Sequence, residues 1–188
     1  MVARNRRVIV HNVPYFITCQ MRWRWDRQEL RAIADALLSA LGGIGTRWNG
    51  SLHAYVVMPA HWHALITTRA PHDISRIMNG VKTRSAVAVR RQIGGSGAVW
   101  QRRFYDHVCR DARESEGALG YIHLNPLIAG LVESPELWTW SSWYAYNQGG
   151  VPPVGVEPVE GEFEARWAEW RYHASTSRGT APPFLREG

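Results

Sequence analysis

Apolar and polar positions along this chain follow two rhythms, and the change from one to the other marks its elements. From Val8 to Gln20 the residues are rich in Val, Ile, Tyr, Phe and Thr, which predicts a first strand. Asp26 followed by Glu29 has the form of a capping box, and Leu30, Ile33, Ala34, Leu37, Leu38 and Leu41 then recur at helical spacing until Gly42-Gly43. This is the first helix, with one stripe for a sheet. Thr46 to Met58 reads as a second strand with Asn49-Gly50 as a turn or bulge in it. Pro59-Ala60 breaks that strand, and His61 to Thr68 becomes an adjacent antiparallel third.

Pro71 to about Ile93 is the second helix, offering Ile74, Ile77, Met78, Val81, Ala86 and Val89 to the core. Gly94-Gly-Ser-Gly97 ends it, and Val99 to Arg110 reads as a fourth strand. Ala112 to about Val132 is the third helix. The residue before a proline resists the α conformation, so Pro126 predicts a kink or tight break right after Asn125. The order βαββαβα with antiparallel strands is an α+β sandwich, helices packed on a sheet of four to five strands. The expected domain covers residues 1–146. A Gly/Pro-rich linker, a short helix from Phe163 to His173 and a tail fill 147–188.

Composition narrows the partner. The formal charge is +6 with a pI near 9.8, and Lys82 is the sole lysine, so the positive charge is carried by arginine. Arginine matches phosphate with two parallel hydrogen bonds and stacks on bases. A high-GC genome also replaces lysine by arginine, but it does not by itself create a net charge. The candidate nucleic-acid contacts are an N-terminal arm with Arg4, Arg6 and Arg7; Arg22 and Arg24, alternating with Trp23 and Trp25; Arg76, Lys82, Arg84, Arg90 and Arg91 on the second helix; and Arg102 and Arg103 before the fourth strand. Cys19 and Cys109 have no metal-type spacing and read as buried thiols of a reducing compartment. No apolar run reaches the roughly 20 residues of a membrane span, and no h-region follows the basic N-terminus, so a cytoplasmic protein is expected.

Two stretches carry the candidate chemistry. On a strand, residues i and i+2 share a face, so His61 and His63 present their rings together, as a chelating pair. On a helix, Tyr121 and Asn125 stand one turn apart on one face. Two imidazoles, an amide oxygen and a phenol suggest a metal-assisted nucleophile. His61, His63 and Asn125 form a mixed nitrogen and oxygen set with open positions, better suited to Mg²⁺ or Mn²⁺ than to a closed zinc site. His53, His107 and His123 are read as structural, and Asp106 as a carboxylate behind a ligand histidine.

The stretches Ala54-Tyr-Val-Val-Met-Pro-Ala-His-Trp-His63, Val99-Trp-Gln-Arg-Arg-Phe-Tyr-Asp-His107, Tyr121-Ile-His-Leu-Asn-Pro126 and Trp138-Thr-Trp-Ser-Ser142 together resemble the single-tyrosine transposases of the HUH endonuclease superfamily, above all the REP-associated tyrosine transposases. The resemblance runs from about Val8 to about Tyr146. It implies a ferredoxin-like fold, Tyr121 as the nucleophile, a 5′-phosphotyrosine intermediate, and single-stranded DNA with palindromic repeat hairpins as substrate for a monomer or homodimer. The family usually has Asn or Asp before the first histidine, and this chain has Ala60. The alternative is therefore a domesticated hairpin-binding protein that has lost catalysis.

Overall fold

The computed structural model describes residues 9–23, 25–147 and 151–159. Arg4, Arg6, Arg7 and Arg24, the expected helix from Phe163 to His173 and the tail lie outside the described residues. The elements are β1 (Pro14–Gln20), α1 (Arg27–Gly42), α2 (Ile44–Trp48), β2 (Ser51–Val57), β3 (His61–Thr67), α3 (Ile74–Ile93), β4 (Tyr105–Val108), α4 (Ala112–Ile128) and α5 (Trp143–Tyr146). Four strands form one antiparallel sheet in the order β2-β3-β1-β4, the ferredoxin-like arrangement.

The strand alternation decides what each face holds. Tyr15, Ile17 and Cys19 of β1 and Trp62, Ala64 and Ile66 of β3 point to one side, where Leu30, Ile33 and Leu37 of α1 and Ile77, Met78 and Val81 of α3 close the main core. Phe16, Ala54, Val56 and Leu65 point to the other and meet Ala118, Leu119 and Ile122 of α4 with Trp143 of α5. Gly80 is where α3 passes Trp48, and the indole occupies the space a Cβ would need. Burial raises the thiol pKa values of Cys19 and Cys109, to about 11 and about 12, so both are poor nucleophiles.

Capping follows the sequence closely. Asp26 accepts from the Glu29 backbone at 2.8 Å while the Glu29 carboxylate accepts from the Asp26 N–H, a complete capping box. Asp73 caps α3 and Asp111 caps α4 through the side chain alone, accepting from the Arg76 and Glu114 N–H groups.

Boundaries differ in four places, each with a local cause. The first strand begins at Pro14 rather than Val8, because Asn12 takes a left-handed conformation (φ 62°) and its N–H bonds Thr68 instead. The second begins at Ser51: Ile44 and Trp48, one helical turn apart, are both buried and form α2, and left-handed Asn49 (φ 50°) ends it. The fourth strand is only Tyr105–Val108; upstream of it Trp100 keeps a single antiparallel bridge to Met21, and its indole turns to α3 and donates to the Ser85 hydroxyl at 3.0 Å. Pro126 does not break α4. The helix runs on to Ile128 and closes with the Leu131 N–H on the Pro126 carbonyl, the Gly130 N–H on that of Leu127, and Gly130 at φ 66°.

The outer edge of β2 is covered. Val57 N–H donates to Trp140 O at 2.9 Å and Ser142 N–H to Tyr55 O at 3.0 Å. Farther along, Glu157 N–H donates to Leu52 O at 2.9 Å, so residues 151–159 lie against the sheet. Among the described residues, no helix is long and apolar enough to cross a membrane.

Candidate active site

Residues opposite one another in the sheet share a face. Thr18 lies opposite His63 on one side and Tyr105 on the other, and Gln20 lies opposite His61. The pair His61 and His63 therefore opens toward α4, with ring centroids 4.7 Å apart. The Met58 N–H to His61 carbonyl bond (2.8 Å) closes the Pro59-Ala60 turn, and the Met21 N–H holds the Ala60 carbonyl at 2.8 Å. Backbone bonds thus hold this turn with alanine at position 60.

Helix α4 sets Tyr121 over this row. Its ring lies 5.2 Å from that of His63 and 5.9 Å from that of Phe16. One turn on, the Asn125 carboxamide is buried with its Nδ2 3.4 Å from His63 Nε2, close enough to bear on the titration of His61 and Tyr121. Asn125 is the point where the four side chains converge.

The electrostatics follow from burial. His63 is held well below the usual imidazole pKa, first by desolvation and then by neighbouring His61; the Ile17 backbone carbonyl acts the other way. Desolvation also lowers His61, opposed by Asn125. Both imidazoles are neutral at pH 7 with lone pairs available. The Tyr121 phenol is pushed above its ordinary pKa by burial, again with Asn125 opposing. A neutral phenol is a weak nucleophile, so any attack from it needs charge neutralisation beside it.

Among the described residues no group of three or more His, Cys, Asp or Glu is placed to hold a metal. The donor set that does converge is two neutral imidazoles and an amide, and an oxygen-bearing, thiolate-free set of this kind fits a hard divalent cation.

Thr18 is a site residue that sequence reading missed. Its hydroxyl lies 2.9 Å from His63 Nδ1. Thr18 thus meets one nitrogen of the His63 ring and Asn125 the other. The available signal was a hydroxyl in the middle of a β-prone run, but only the β1–β3 register says what it meets. Thr18→Val is expected to weaken Mn²⁺ binding roughly tenfold by calorimetry while Thr18→Ser retains it. Equal affinity in all three proteins would remove Thr18 from the site.

His107, His53 and His123, read from the sequence as structural, each have a partner away from the His61–His63 pair. His107 Nε2 contacts Glu114 at 3.1 Å, and the same carboxylate accepts from the Arg110 N–H at 2.8 Å. His53 lies between the Glu157 carbonyl and the Thr67 hydroxyl. His123 is fully buried with Nε2 2.8 Å from the Ser142 hydroxyl, which also accepts from the Tyr55 N–H at 2.9 Å. This bond fastens α4 to the β2 edge through the Trp138–Ser142 stretch. Asp106 was expected behind a ligand histidine, but it is in register with Ile17 and so projects from the opposite face to His63.

Burial lowers the His123 pKa to about 3. The folded state thus refuses a proton that the unfolded chain takes up below about pH 6.5, so its contribution is complete above that pH and is lost as pH falls toward 3. Urea denaturation is expected to show a loss of about 3 kcal/mol between pH 7 and 4.5 from this one group. A flat profile over that range would contradict it.

The candidate nucleic-acid contacts do not form one surface. Arg22, Arg102 and Arg103 are exposed at the sheet end where His61 lies, and Lys82 Nζ reaches the carbonyls of Gln101 (2.6 Å) and Arg102 (2.9 Å). Arg84 and Arg91 line a cleft of about 400 Å³ with Arg47 between α1 and α3, across the sheet from Tyr121. Arg90 bonds the Gly97 carbonyl, and Arg76 is exposed in the first turn of α3.

A ferredoxin-like sheet whose third strand places two histidines under a helix-borne tyrosine has the architecture of the HUH class. Residues 10–125 match the family described as "Transposase IS200 like", and the chain belongs to that family of enzymes. It is 25% identical over 154 residues to the REP-associated tyrosine transposase of Escherichia coli K12, covering 81% of this chain and 90% of that one. A Haemophilus influenzae protein provisionally given the same name is 39% identical over 75 residues, 36% of this chain and 43% of that one. The solved structure of a REP-associated tyrosine transposase bound to a REP hairpin superposes with a TM-score of 0.66 at 23% identity, over 86% of this chain and 95% of that one.

Proposed function

We propose that this protein cleaves and rejoins single-stranded DNA beside palindromic repeat hairpins through a tyrosine-linked intermediate. The observation that carries the reading is the clustering of His61, His63 and Tyr121, whose neighbouring rings lie 4.7 Å and 5.2 Å apart, with the Asn125 amide 3.4 Å from His63. The relatives named as REP-associated tyrosine transposases, and the one solved with a REP hairpin, support the choice of substrate.

Tyr121 Oη attacks the scissile phosphorus. An O–P bond forms to tyrosine, the bond to the 3′ oxygen breaks, and that oxygen leaves as a hydroxyl while the phenol proton is lost to solvent. The product is a 5′-phosphotyrosine that conserves the bond energy, so a second 3′-hydroxyl reverses the step on another strand. Asn125 steadies the phenolate through its amide, and Phe16 and His63 fix the ring. His61, His63 and Asn125 would hold Mg²⁺ or Mn²⁺, whose chemistry is neutralisation of the phosphate charge. Free, buried thiols fit a reducing, cytoplasmic setting.

The test uses a 3′-labelled oligonucleotide with a hairpin and unpaired flanks, incubated with Mn²⁺ or with EDTA and run on denaturing gels. A labelled band at protein mass with Mn²⁺, absent in EDTA, is expected. Tight hairpin binding without an adduct in any divalent metal would instead establish a hairpin-binding protein.

A further inference from the structure

We propose that Trp23, with the Arg22 guanidinium beside it, is a stacking platform for an unpaired base of the DNA strand entering the site. The proposal rests on the reading above in taking single-stranded DNA as the partner.

Trp23 is the most exposed tryptophan among the described residues, at 52%, while Trp48, Trp62, Trp100 and Trp143 are buried. A half-bare indole leaves apolar surface in water. Its turn is nonetheless held firmly. Met21 N–H donates to Ala60 O at 2.8 Å, Arg22 N–H to Val99 O at 2.9 Å, and Trp25 N–H to Pro59 O at 3.1 Å. The turn is therefore pinned between the Pro59-Ala60 turn, which leads directly into His61, and the approach to β4.

The charges around the indole are positive. The Arg22 guanidinium carbon lies 5.4 Å from the indole centroid. Arg102 and Arg103 are exposed just after Gln101, whose N–H bonds the Gln20 carbonyl at 2.9 Å, and Gln20 pairs with His61. The nearest carboxylates in sequence, Asp26 and Glu29, are engaged in the α1 capping box. A preorganised aromatic face with an arginine beside it suits a base carried on a phosphate backbone. In a duplex both faces of each base are already stacked, so the base that uses this platform is unpaired. The platform and the histidine pair share one end of the sheet, so a single strand can lie across both.

Fluorescence anisotropy with labelled oligo(dT) and with a blunt duplex of equal length, both in EDTA, tests this separately from catalysis. Trp23→Ala is expected to weaken oligo(dT) binding about tenfold and leave duplex binding unchanged, with Trp23→Phe restoring the single-strand affinity. Oligo(dT) binding equal to wild type, or an equal loss on both ligands, would overturn the platform. A selective loss in a protein that forms no adduct would keep the platform and sink the catalytic reading. A wild-type protein that binds neither DNA would sink both.

Discussion

Tyr121→Phe is expected to abolish the protein–DNA adduct, lowering its rate at least about a thousandfold, while hairpin affinity and fold survive. The substitution removes one oxygen and leaves the ring, so the contacts to His63 at 5.2 Å and Phe16 at 5.9 Å remain available. The lost hydroxyl leaves a void of one oxygen at a half-buried ring, a small change in stability of about 1 kcal/mol or less. A large loss of chemistry beside a small loss of stability separates a nucleophile from a packing tyrosine. Tyr55 and Tyr146 make the useful contrast. Their hydroxyls bond Val154 and Val159 backbone groups, and burial raises both to about 12. Tyr146→Phe should therefore destabilise the protein without preventing adduct formation. If Tyr121→Phe still forms an adduct, the attacking oxygen lies elsewhere.

The parts of this site that could be read from the sequence obey local rules. His61 and His63 share a face because strands have period two, and Tyr121 and Asn125 share one because helices have a turn of about four. The Asp26 cap was legible for the same reason, since it reaches a backbone group three residues on. The fit of one pair to the other depends on sheet order and on how α4 crosses it. The resemblance implied that arrangement, and no spacing in the chain showed it. Thr18 was missed because its partner is 45 residues away, across a strand pair whose register only the fold defines. The boundary errors came from residues whose tertiary setting overrides their propensity: Trp48 looked like part of a strand and is buried as a helical residue, and Pro126 looked like a break and sits inside α4. The arginines show the limit of composition. Charge named nucleic acid, but Arg84 and Arg91 lie across the sheet from Tyr121, and only the fold says so.

Asn125 distinguishes a metal ligand from a hydrogen-bonding bystander, because its two substitutions predict opposite outcomes for binding and rate. Asn125→Ala removes the amide that stands 3.4 Å from His63, and Mn²⁺ affinity is expected to fall at least about a hundredfold, since loss of an outer partner alone costs 10- to 100-fold. The adduct should fall below detection with it. Asn125→Asp keeps an oxygen at the same place and adds charge, so Mn²⁺ binding should recover to wild type or better. The adduct rate should not recover fully. A carboxylate has no amide N–H to give the phenolate, and its negative charge raises the pKa of a phenol that burial has already pushed up. Calorimetry for the metal and single-turnover gels for the adduct therefore part company in Asn125→Asp if Asn125 both holds the ion and steadies Tyr121. Restoration of both would leave the amide N–H without a role, and restoration of neither would place the ion away from Asn125.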